Sequence, residues 1–173
     1  MNGAHFHLLV NHFPIIVPII GLLILLSGLY FKSEAVKRTA YLLFVLGSIF
    51  SILAMASGEE AEEVVEDMVE VSHTDIESHE EAAETFAYVS YLLGGISLLG
   101  FWSSFKQKSF ANIVSIVTII VALGALFFAQ KTGTTGGEIR HTEIREEVAQ
   151  FSPQMLNESK LGNTYLILSR TES

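Results

Sequence analysis

No cysteine occurs in the 173 residues, which excludes disulfides, thiolate metal centres and cysteine nucleophiles. Basic residues are scarce, ten Lys and Arg against nineteen Asp and Glu, so the chain has no surface for nucleic acid. Proline stands only at positions 14, 18 and 153. Charge is missing altogether from four stretches, 13–31, 39–57, 85–105 and 110–130, none of which contains Lys, Arg, Asp or Glu. Each approaches the ~20 apolar residues that a helix needs to cross the hydrocarbon layer of a bilayer.

What is present agrees with those absences. Half of the chain is apolar and its mean hydropathy is positive. Lipid offers no partners to backbone N–H and C=O groups, so each spanning stretch must satisfy them internally as a helix. The expected fold is all-α, a polytopic membrane four-helix up-down bundle over residues 1–141, with an acidic helical hairpin outside the membrane at 58–84 and a soluble C-terminal tail at 142–173. The first apolar run could pass for a secretory signal, but no Lys or Arg precedes Lys32, so it is expected to be retained as a span.

Loop 32–38 reads KSEAVKR and the turn at 106–108 reads KQK; both are net positive and are expected on the cytoplasmic side. That orientation puts the N-terminus, segment 58–84 and the C-terminal tail on the opposite, outer face. Segment 59–84 carries twelve Asp and Glu and no Lys or Arg. Ala61, Val64, Val65, Met68 and Val71 recur in it at three and four, the period of an amphipathic helix. Thr74 followed by Glu77 fits a capping box, so a new helix is expected to start there and run unbroken into the third span.

Small residues recur along the spans as close packing in lipid requires: Gly21, Ser27 and Gly28; Gly47, Ser48 and Ser51; Ser90, Gly94, Ser97 and Gly100. The sequence KTGTTGG at 131–137 concentrates Gly and Thr, and the fourth span is expected to stop near Gly133 in an exposed cap and loop.

All six histidines, at positions 5, 7, 12, 73, 79 and 141, fall on the outer side of this topology. His12 stands at the lip of the first span, just before Pro14. Pro18 lacks the N–H that would reach the Pro14 carbonyl, so this entry is irregular and is expected to face the bundle rather than lipid. His79 lies at helical spacing above Ala83, Phe86, Ser90, Gly94 and Ser97, and so above a face that should turn inward. His141 follows the Gly136–Gly137 pair, where a loop could bring the ring over the bundle mouth. His73 sits in a polar turn and His5 beside the alternative His7, so both are weaker candidates, and a solvated headgroup-level ring is the bland reading for any one of the six.

The pattern His7-x4-His12-Phe13-Pro14-Ile15, then His79 leading an Ala-rich stretch, then Thr132-Gly133-x2-Gly136-Gly137-x3-His141, resembles a bacterial family of small four-helix membrane proteins defined as a domain of unknown function. The resemblance covers roughly residues 5–141. This chain departs from the family in having Leu8 where proline usually follows the first histidine, and Thr142 where glycine usually follows the last. Similar proteins occur fused to cytochrome c or Rieske-type domains, which implies electron transfer near the outer face of a bacterial cytoplasmic membrane and a redox partner such as a cytochrome. Self-association is left open.

Three functions remain in view. In the first, imidazoles at the outer end hold haem b, with His12 and His79 as the expected axial pair, His7 and His141 as further ligands or polar partners, and Arg140 opposite a propionate. The second is a bare copper or zinc site built from His7, His12, His79 and His141. The third is an accessory subunit without a cofactor, whose acidic segment is a docking surface. The HEEAA stretch at 79–83 lacks the second histidine of HExxH, and no nucleophile–base–orienter set is visible, so enzymatic activity is not expected.

Overall fold

The computed structural model describes residues 3–66, 73–105 and 108–140. Five helices follow one another along the chain: α1 (Gly3–Val10), α2 (Phe13–Tyr30), α3 (Glu34–Glu66), α4 (His73–Ser103) and α5 (Lys108–Arg140). Four stretches, Ala4–Tyr30, Glu34–Val64, His73–Ser103 and Phe110–Ile139, are long and apolar enough to cross a membrane. The expected acidic hairpin is described only in its arms: residues 59–66 continue α3 without a break, and the acidic residues from Asp75 to Glu84 lie in the first turns of α4. Met68 and Val71 lie outside the described residues, as does the tail from His141 onward.

The N-terminal eight-residue helix α1 was not foreseen from the sequence, and it is separated from α2 by a short break at Asn11–His12. Pro14 accounts for that break. It has no N–H to bond Val10, and its ring crowds the carbonyl four residues back. The chain recovers at once, with Ile16 N–H bonding the His12 carbonyl at 3.0 Å. Pro14 and Pro18 are both buried, so the disturbed turns of α2 face protein.

Neighbouring helices touch where one of them has no side chain. A Cβ added at Gly47 of α3 would stand 2.9 Å from the Pro18 ring, so the proline-bearing turn of α2 packs directly on the α3 backbone. Further along, Gly28 lies against the Lys37 backbone. The contacts descend α3 as they climb α2, and the two helices therefore run antiparallel. Between α3 and α4 the same sense holds, with Ser48 at Gly94 and the Tyr41 ring at Gly100. The core between them comprises Leu25, Tyr41, Phe44, Phe86, Leu93, Ala122 and Ala125. Of the small residues picked out by sequence, Ser27 is the exception: it is exposed and donates to the Leu23 carbonyl of its own helix at 2.8 Å.

At one end the helices are clipped by charge. The α2–α3 turn closes with Ser33 N–H on the Gly28 carbonyl and Lys32 N–H on that of Leu29, with Lys32 at φ 52°. Arg38 then reaches from α3 to the end of α4, donating to Ser104 Oγ at 2.9 Å and the Ser104 carbonyl at 3.1 Å while stacking over Phe105 at 3.7 Å.

The fourth span does not end near Gly133. α5 runs on through Thr132, Gly133, Thr134, Thr135, Gly136 and Gly137 to Arg140. The threonines tolerate helix because their hydroxyls bond back onto it: Thr132 to Phe128, Thr134 to Gln130 and Thr135 to Lys131. Gly136 is there for closeness, since His79 of α4 occupies the space its Cβ would need. Tertiary packing overrides a turn-like composition at this point.

A histidine pair held by helix hydroxyls

His7 projects from α1 onto α3, and His79 from α4 onto α5. Both rings are partly buried, and each is anchored through Nδ1 to the neighbouring helix. His7 Nδ1 lies 3.1 Å from the Ala54 carbonyl and 3.1 Å from Ser57 Oγ. A carbonyl can only accept, so Nδ1 carries the proton. The Ser57 hydroxyl donates to the Leu53 or Ala54 carbonyl, which makes its oxygen an acceptor as well.

His79 repeats the arrangement on the other half of the molecule. Its Nδ1 is 3.1 Å from Thr135 Oγ1. Thr135 Oγ1 also lies 3.2 Å from the Lys131 and Thr132 carbonyls; when its proton goes to one of them, Nδ1 is the donor. Thr132 draws α4 and α5 together just below, donating to the Ala82 carbonyl at 3.0 Å. A Cβ at Gly136 would stand 2.9 Å from His79 Cε1; the glycine lets the ring lie flat against the helix.

In each neutral ring one nitrogen is a donor and the other an acceptor. With Nδ1–H committed to the Ala54 carbonyl, the lone pair of His7 resides on Nε2, and the same tautomer of His79 leaves its Nε2 lone pair open. A histidine that ligates a metal is oriented in this way, by a hydrogen bond from its other nitrogen to a carbonyl or oxygen acceptor. The two rings belong to helices α1 and α4, far apart in the chain.

The other sequence candidates are placed differently. His12 sits at the N-cap of α2 with an exposed side chain that makes no capping hydrogen bond. His5 and His73 are also exposed. Arg140 is the last residue of α5, and His141 lies outside the described residues. Among the described residues no group of three or more His, Asp or Glu could hold a metal ion. Ser57 and Thr135 were missed in the sequence. Ser57 falls at the end of an apolar run, and Thr135 is hidden in a stretch that reads as a loop; only the histidine opposite each gives it a role.

Compared with family models, curated proteins and solved structures, the chain matches none.

Proposed function

We propose that this chain is a multi-pass membrane haem b protein, an antiparallel four-helix bundle in which His7 and His79 supply the axial ligands, and that it passes electrons at the outer face of a bacterial cytoplasmic membrane. The observation that carries this reading is two part-buried imidazoles, each held through Nδ1 by a hydroxyl of the next helix, His7 by the Ala54 carbonyl as well, an orientation that leaves Nε2 for a ligand. The porphyrin contributes four nitrogens, so two imidazoles complete the iron's coordination and let it exchange one electron without ligand loss. A tetrahedral copper or zinc ion would need two more protein ligands than this pair offers. The pairing also replaces His12 by His7 as the partner of His79.

The positive loop at 32–38 is placed on the cytoplasmic side and the acidic extensions of α3 and α4 outside, near the histidines. A basic redox protein would be steered to that end by charge.

Protein purified from cells supplied with haem should show a Soret band in one-to-one amount with the chain. His7→Ala and His79→Ala should each abolish the six-coordinate low-spin spectrum, whereas His12→Ala should keep it. A colourless protein with stoichiometric copper or zinc by elemental analysis would replace this reading with the bare-metal one, and a colourless, metal-free protein would leave an accessory subunit.

A further inference from the structure

Hydroxyls buried in a helix core ordinarily bond to the carbonyl one turn back, as Ser115 does to Ala111 and Thr118 to Val114, both at 2.8 Å. Two serines of α4 depart from this. Ser90 is 2% exposed and Ser97 0%, and the Oγ of each has no protein partner. An unmet hydroxyl in a core is unfavourable, and the usual remedy is a bound water.

These serines lie on a polar line through the seam of α3, α4 and α5. They are seven residues apart on one helix, about 10 Å along its axis. Ser48 of α3 approaches Gly94 between them, and the Tyr41 ring lies against Gly100, a turn beyond Ser97. Tyr41 donates to Ser115 at 2.8 Å, because the Ser115 proton is already used on Ala111. Tyr41 also feels the charge of Glu34, at the end of α3 that carries the basic loop. There Lys37, only 3% exposed, holds one Glu34 oxygen at 2.6 Å, and the other oxygen is buried with no protein partner. In the opposite direction Ser51 is buried one turn beyond Ser48, and one turn further stands Ala54, whose carbonyl anchors His7. Along α3 the side chains Glu34, Tyr41, Ser48 and Ser51 are never more than seven residues apart, a gap of about 10 Å that a few waters span.

We propose that this seam is hydrated and conducts protons between the Glu34–Lys37 end and the histidine end of the bundle. Each hydroxyl or water accepts a proton on its lone pair and releases its own to the next group, so charge crosses while no heavy atom does and no bond but O–H is made or broken. The seam stands on different residues from the histidine pair and does not depend on what that pair binds.

The experiment is proton flux into proteoliposomes holding a trapped pH dye, driven by a valinomycin-set potassium potential, with the full chain as purified. Wild-type vesicles should take up protons well above protein-free vesicles. Ser90→Ala combined with Ser97→Ala keeps the side chains small and should bring the flux to the protein-free level. Ser97→Thr, which keeps a hydroxyl, should conduct, and Ser27→Ala on the exposed face should match wild type. Wild-type flux equal to that of protein-free vesicles overturns the proposal without reference to any variant. So does undiminished flux in the alanine double variant, which is what small residues serving only to pack would give. The Soret measurement above is untouched by either outcome.

Discussion

At the scale of single residues, the side chains that define the site are not the ones that would bind anything. Ser57 and Thr135 hold Nδ1 of His7 and of His79 at 3.1 Å across a helix interface. Removing such an outer partner weakens metal retention by about 10–100-fold. Ser57→Ala and Thr135→Val should therefore each speed haem loss to an apo-protein acceptor by a factor in that range, read from the decay of the Soret band, while the helical content stays unchanged. Gly136→Ala should act on the same band by a different route. The added methyl meets the His79 ring at 2.9 Å, and the ring must tilt or withdraw. A second residue-scale outcome concerns Lys32, a non-glycine at φ 52°. Left-handed geometry costs an L-residue about 1–2 kcal/mol, so Lys32→Gly should raise the unfolding temperature in detergent.

At the scale of elements, two stretches that read as helix-breaking in the sequence behave differently. The sequence KTGTTGG predicts a loop from composition, and NHFPIIVP predicts an irregular helix entry; the second is observed and the first is not. Proline acts locally, through a missing N–H and a ring that collides with its own helix, so its effect is legible in one dimension. Glycine and threonine only relax local preference. Whether they end a helix or extend it depends on what lies opposite, here His79 and Ala82 of α4. Contact also sets the cost of filling the α2–α3 crossing. A Cβ at Gly28 would lie 2.9 Å from the Lys37 backbone nitrogen, which cannot swing aside. Overpacking of this kind typically costs about 1–3 kcal/mol. Gly28→Ala should lower the melting temperature of the purified protein, and Gly95→Ala, where a Cβ meets open space, should not.

At the scale of the whole molecule, the absence of cysteine makes orientation directly measurable. Single cysteines introduced at Glu60 and at Ala35 should react with an impermeant maleimide from opposite sides of the membrane, Glu60→Cys from outside the intact cell and Ala35→Cys only after permeabilisation. Labelling of both from the same side would contradict an odd number of crossings between them. The reverse pattern would place the acidic ends of α3 and α4 in the cytoplasm and overturn the proposal of electron transfer at the outer face.

The four apolar stretches, the helical class and the inward face of α4 below His79 could all be read from sequence, because period and charge exclusion are properties of the chain itself. Buried Phe86, Ser90, Gly94 and Ser97 lie where counting from His79 puts them. The seating of His7 against α3 and of His79 against α5 could not be read in that way. It requires α1 to fold back on α3 and α4 to lie along α5, and no local preference records which of six histidines will find a hydroxyl across a helix interface. Sequence determined what must be buried, since removal from water is a sum over residues; only tertiary structure decided which polar atoms meet there, because a hydrogen bond depends on two positions at once.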